Sequence, residues 1–140
     1  MAGALEKVRS GGSTDLAVTE RGTFFGYGDL VVDMRNFERL RSATRAAVIF
    51  DATHAVQRPG SGPGGASGGE RAFIPGLLAA AAVAGADGFF LETHPDPARA
   101  ASDAATQWPL DKLGDLIDRT LDLWARAREH TLASGAAADA

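Results

Sequence analysis

With 140 residues, 45% of them apolar, the chain has room for one domain with a modest core. A net charge of −4 argues against general binding to nucleic acid or to anionic membranes, although it leaves room for a local basic pocket. Cysteine is absent, which excludes a disulfide framework, a thiolate nucleophile and thiolate metal ligands from this chain.

Residues 1–7 have neither the basic flank nor the apolar run of a signal peptide. The most apolar stretch, residues 77–85, is far shorter than the ~20 residues that a membrane-spanning helix needs. A cytoplasmic location without membrane partners is expected.

Leu5 and Val8 predict a helix over residues 2–10, stopped by Gly11-Gly12-Ser13. A strand follows over 15–19, then a glycine-containing loop over 22–28. Met34, Phe37 and Leu40 share one stripe of a helix over 34–43. The unbroken apolar run at 46–51 predicts a second strand, buried on both faces. Residues 58–69 hold six glycines and two prolines, the composition of a lid or a disordered loop. A helix over 70–83 presents Phe73, Ile74, Leu77, Leu78, Ala81 and Ala82, with Pro75 tolerated in its first turns and Gly85 ending it. The third strand is expected over 88–92. Pro109-Leu110-Asp111 opens the last helix, with Leu113, Ile117, Leu121 and Trp124 as its stripe. Residues 1–132 are expected to form the structured part, and the small, polar residues 133–140 a flexible tail. The order α-β-α-β-α-β-α, with connections long enough for crossovers, predicts a parallel α/β fold.

Each strand runs into a polar cluster: Thr19-Glu20-Arg21-Gly22, Asp51-Ala52-Thr53-His54 and Glu92-Thr93-His94-Pro95-Asp96-Pro97. Parallel strands share one carboxyl edge, so the three clusters should converge. The guanidinium of Arg21 suits a phosphate or carboxylate; the alternative is an ion pair with Glu20 or another strand end. His54 suits Zn, Fe or Mn, or proton transfer, and otherwise a backbone hydrogen bond. Glu92 and Asp103 could join His54 in an open divalent-metal site, although Asp103 could equally cap a helix. His94 is expected to order its proline-containing loop, and His130 to sit solvated near a helix end.

At these clusters the chain resembles the 3-deoxy-D-manno-octulosonate 8-phosphate (KDO-8-phosphate) synthase family. The stretches that carry the resemblance include Thr19-Glu20-Arg21-Gly22-Thr23, Phe25-Gly26-Tyr27, Leu30-Val31-Val32-Asp33-Met34-Arg35 and Phe50-Asp51-Ala52-Thr53-His54-Ala55-Val56-Gln57. The glycine-rich loop and Glu92-Thr93-His94-Pro95-Asp96-Pro97 complete the set. The resemblance implies part of a (β/α)8 barrel, about three parallel strands with flanking helices. It implies condensation of phosphoenolpyruvate with D-arabinose 5-phosphate, with release of inorganic phosphate, on the route to lipopolysaccharide. Arg21 would then bind the phosphoenolpyruvate phosphate. His54, Glu92 and Asp103 occupy metal-site positions, and His54 lies near the transferred phosphate. Asp51 would touch the sugar or a metal-bound water, and Gln57 and Phe25 would contact substrate. The loop from Gln57 through residue 69 would close over the sugar phosphate and exclude water. The segment Ser102-Asp103-Ala104-Ala105-Thr106-Gln107-Trp108-Pro109-Leu110 is similar to the metal-dependent branch, so Mn, Fe or Zn is expected and no organic cofactor; that branch's remaining ligand, an amino-terminal cysteine, has no counterpart here. The related DAHP synthases, and a non-catalytic α/β fragment, are the competing readings.

The resemblance covers only the carboxyl-terminal half of that family, whose full-length members are expected to be homo-oligomers. Three strands cannot close an eight-stranded barrel, and both sheet edges would be left open. The 140-residue chain is therefore expected to fold poorly, to self-associate or to need a complementary half. Size-exclusion chromatography and circular dichroism test this: a monodisperse, cooperatively melting monomer would contradict it.

Overall fold

The computed structural model describes residues 2–25, 28–65 and 67–138. Helix α1 (Ala2–Ser10) ends where Gly12 takes a φ of +95°, a conformation open to glycine without a Cβ clash. Strand β1 (Ala17–Glu20) leads into a short antiparallel pair, β2 (Thr23–Phe24) with β3 (Leu30–Val31). Helix α2 (Asn36–Thr44) follows, one to two residues later than its periodicity predicts. Asp33 explains the delay. Its carboxylate takes the Arg35 backbone N–H at 3.0 Å and the guanidinium of Arg35 at 2.8 Å, which anchors the turn before the helix. The Arg35 contacts hold the Asp33 carboxyl down at about 2.

Strand β4 (Ala47–Asp51) comes next. The glycine-rich segment is closed at its base by β5 (Gln57–Arg58) pairing antiparallel with β6 (Gly68–Gly69). At Gly69 a Cβ would overlap the Thr106 methyl and lie 2.8 Å from the Val56 carbonyl oxygen, so no larger residue fits without displacing backbone. A 3₁₀ turn (Arg71–Phe73) then leads into α3 (Ile74–Val83), with Pro75 in the first turn. Strand β7 (Gly88–Phe90), a short parallel pair of β8 (Thr93–His94) with β9 (Trp108–Pro109), and helix α4 (Leu113–Ala138) complete the chain. The boundary expected at residue 132 falls inside α4.

β1, β4 and β7 form one parallel sheet in that order, so the expected α/β alternation holds. Ala17 sits beside Ala47 and Glu20 beside Phe50, while Asp51 sits beside Phe90. The core packs Val18, Val48 and Phe50 against Phe37, Ile74, Leu78, Ala81 and Leu116, with the Phe37 and Phe50 rings edge-on at 6.0 Å.

Four expectations about burial and strand length change. β4 is not buried on both faces: Val48 and Phe50 are buried, Ile49 is half-buried and Ala47 is exposed, because helices cover one face of these strands. The third strand stops at Phe90, since Leu91 and Glu92 turn away to reach β8. On α4, among the described residues, Leu116 and Thr120 are buried and Leu113 and Trp124 half-buried, whereas Ile117 and Leu121 are about half exposed, so the inward face keeps two positions of the predicted stripe and shifts by one residue at the other two. Phe73 likewise stands outside the α3 face because it belongs to the 3₁₀ turn, where the 3.6-residue period does not apply.

The amino-terminal end of the sheet is stitched by Asp87. Its carboxylate accepts from the Val48 N–H at 2.9 Å, from Arg41 at 3.0 Å and from Arg128 at 3.2 Å. Arg128 also lies over the Trp124 ring at 3.9 Å, and the Trp124 indole donates to the Ala86 carbonyl at 2.7 Å. Partial burial pushes the Asp87 carboxyl up, but the Val48 amide and the two arginines outweigh it and hold it below its ordinary value. A depressed carboxyl contributes stability above its unfolded value, about 3.9, and loses it as pH falls through the folded value. Asp87→Ala is expected to cost about 2 kcal/mol, because it leaves the Val48 amide without its acceptor and removes one contact each from Arg41, which keeps Glu38 and the Gly85 carbonyl, and Arg128, which keeps the Trp124 ring. Urea denaturation would measure this near neutral pH, and the gap from the parent chain should narrow under acid.

Candidate metal and anion site

Beyond Glu20 the chain turns sharply. Gly22 takes a φ of +87° and its N–H donates to the Glu20 carboxylate at 2.6 Å. The other Glu20 oxygen accepts from Asn36 at 2.8 Å. The buried Glu20 is thus committed to the turn, and Arg21 does not pair with it. The exposed guanidinium of Arg21 donates instead to the Gln57 side-chain oxygen at 3.2 Å.

Asp51 ends β4, and a 3₁₀ turn (His54–Val56) begins three residues on. One Asp51 oxygen accepts from the His54 backbone N–H at 3.0 Å, and the other lies 2.7 Å from His54 Nδ1. A carboxylate only accepts, so Nδ1 carries a proton, which leaves Nε2 as the ring atom available to ligate a cation. It points at Glu92, whose Oε1 is 3.5 Å away. Phe90 stacks on the imidazole with ring centroids 6.0 Å apart.

Glu92 lies two residues past β7 and is held from three sides. Its N–H donates to the Thr53 hydroxyl at 2.7 Å, its carbonyl accepts from the Trp108 N–H at 2.9 Å, and its second carboxylate oxygen accepts from Gln107 at 3.3 Å. Asp103 adopts a φ of 55°, left-handed but accessible to Asp. Its carbonyl accepts from the Thr106 and Gln107 N–H groups, both at 2.8 Å, which tightens the turn that presents the carboxylate. That carboxylate accepts from the Gln57 side-chain amide rather than capping a helix.

His54, Glu92 and Asp103 each offer a ligand atom, and these atoms lie within 4.8 Å of one another. The imidazole Nε2 and two carboxylates converge there, and the carboxylates repel one another at such spacing unless a cation lies between them. One nitrogen and two oxygen donors suit Mn, Fe or Zn, and three protein ligands leave positions open. The residues present therefore fit a divalent metal.

Of the residues singled out in the sequence, Arg21, Asp51, His54, Gln57, Glu92 and Asp103 come together through these contacts. Phe25 does not join them by any described contact and is two-thirds exposed. Its neighbours Gly26 and Tyr27 lie outside the described residues. Gln57 is not part of an overhanging loop: it is buried at the base of that loop. A cavity of about 420 Å³ opens beside it, lined by Leu30, Val56, Arg58, Glu70, Phe73 and Leu77 among others. His94 accepts the Asp96 N–H at 2.9 Å and so orders its loop. His130 is exposed well within α4, not at its end. Thr53 and Gln107 were missed, because a hydroxyl or amide that serves another side chain has no signature spacing.

The DAHP synthetase I family model matches residues 1–125. The chain belongs to that family. It is 46% identical over 129 residues to a 2-dehydro-3-deoxyphosphooctonate aldolase of Xanthomonas oryzae pv. oryzae, covering 92% of this chain and 46% of the relative. It is 50% identical over 122 residues to a protein of the same name from Nitratidesulfovibrio vulgaris, covering 87% and 44%. The chain thus spans about half the length of the curated relatives it matches.

Asp51→Asn is expected to weaken Mn²⁺ binding by about 10–100-fold. The new amide can donate to Nδ1, which moves the imidazole proton to Nε2 and blocks the ligand lone pair. Calorimetric titration with Mn²⁺ checks it; unchanged affinity would remove His54 from the centre.

Proposed function

We propose that this chain is the carboxyl-terminal part of an enzyme that condenses phosphoenolpyruvate with D-arabinose 5-phosphate and water. The products are 3-deoxy-D-manno-octulosonate 8-phosphate and inorganic phosphate. The observation that carries the reading is the juxtaposition of the His54, Glu92 and Asp103 donor atoms with a guanidinium, Arg21, one amide away. An anionic, phosphorylated enol needs a cationic grip on its phosphate, and Arg21 supplies fixed charge and forked donors for it. The names of the relatives support the choice of substrate.

In this reading His54, Glu92 and Asp103 hold Mn, Fe or Zn, which when bound supplies Lewis-acid polarisation or an acidified water. Both Asp51 oxygens serve His54, so Asp51 acts by orienting the imidazole and fixing its proton on Nδ1. Gln57 acts at the site's floor, and the segment between β5 and β6 closes over the sugar phosphate. The three-stranded sheet is one arc of a (β/α)8 barrel, with its carboxyl edge facing the reaction. Completion of that barrel and homo-oligomer formation in a cytoplasmic setting belong to the same proposal. No helix among the described residues is long and apolar enough to cross a membrane.

The test is phosphate release from phosphoenolpyruvate, with the chain alone and with the amino-terminal half of the Xanthomonas relative supplied in trans. Turnover with arabinose 5-phosphate and not with erythrose 4-phosphate is expected, falling at least about 100-fold in Arg21→Ala. Preference for erythrose 4-phosphate would instead assign the DAHP-type reaction. Binding of phosphoenolpyruvate and Mn²⁺ without turnover in any combination would assign a non-catalytic role.

A further inference from the structure

The Gln57 side chain makes two contacts of opposite polarity. Its oxygen accepts from Arg21 at 3.2 Å, and its nitrogen donates to the Asp103 carboxylate. The residue is 8% exposed, and its backbone is fixed by the β5–β6 pairing with Gly69. Neither contact tolerates a flipped amide, because the guanidinium only donates and the carboxylate only accepts. Asp103 lies within the His54–Glu92–Asp103 cluster, so a single amide joins the anion grip to the cation centre.

We propose that Gln57 is a positioning residue that couples cation binding at Asp103 to anion binding at Arg21. The coupling rests on the site reading given above and extends it. A cation that draws in Asp103 fixes the amide, and the fixed amide orders the otherwise exposed guanidinium for an incoming phosphate. In the reverse direction, an anion on the remaining Arg21 donors pulls positive field away from the amide. Asp103 is then a better cation ligand. A chain of hydrogen bonds polarises along its length, which gives both effects the same sign. Linkage requires each ligand to raise the affinity of the other by the same factor.

The experiment measures Mn²⁺ dissociation constants for the 140-residue chain by electron paramagnetic resonance of free Mn²⁺, with and without saturating sulfate. Sulfate serves as a phosphate-shaped anion, and ionic strength is held constant with chloride. In the parent chain sulfate is expected to tighten Mn²⁺ by at least about fivefold. Gln57→Leu keeps the volume and removes both contacts; Gln57→Asn keeps the amide but is one methylene too short to span them. In both variants the ratio should fall to within about twofold of unity, with circular dichroism spectra like the parent's. A purely structural role would weaken both ligands and leave the ratio untouched. A parent chain indifferent to sulfate, or full coupling in both variants, overturns the proposal. Failure of phosphoenolpyruvate turnover alongside intact, Gln57-dependent coupling would instead sink the enzymatic reading and leave this one standing.

Discussion

The register of three parallel strands is the constraint on which everything else depends. A residue in a strand advances about 3.3 Å and alternates faces, so a slip of one position would carry a side chain to the wrong side of the sheet. With Glu20 beside Phe50 and Asp51 beside Phe90, the segments that leave β1, β4 and β7 start at nearly one level. Arg21, His54 and Glu92 come from residues far apart in the chain, and no short motif could place them together. The backbone ladder does so, and the short connections that follow set the final few ångströms.

The two ends of that sheet divide the labour. At the amino-terminal end, Asp87 gathers β4, α2 and α4 through Val48, Arg41 and Arg128, and its charges are spent on one another. At the carboxyl end the charged groups are left facing a common point, with the secondary contacts supplied by Asp51, Thr53, Gln57 and Gln107.

Much of this was legible in the residues. Helix-period spacing located α1, α2 and α3, and the apolar run at Val48–Phe50 located the central strand. The strand-end clusters were legible because parallel topology forces them onto one edge. Solvent exposure was less so: the pattern of β4 reads as buried on both sides, and of the α4 stripe only Leu113 and Trp124 belong to the inward face, since hydrophobicity alone does not say which apolar positions find a neighbour. The role of Gln57 was also hidden. A resemblance can mark it as a site residue, but only the fold reveals that its amide faces Arg21 on one side and Asp103 on the other. Asp103 was recognisable as a carboxylate near a helix start, and the left-handed backbone that aims it was not.

Gly69 carries a final implication. A Cβ added there would run into the Thr106 methyl and the Val56 carbonyl, so this crossing point admits hydrogen alone, and Thr106 belongs to the turn that presents Asp103. Arg58 pairs with Gly68 at the base of the glycine-rich segment, so the length and composition of that segment can drift over generations without disturbing the pairing. Natural variation should accumulate in residues 59–67, while the crossing itself stays frozen.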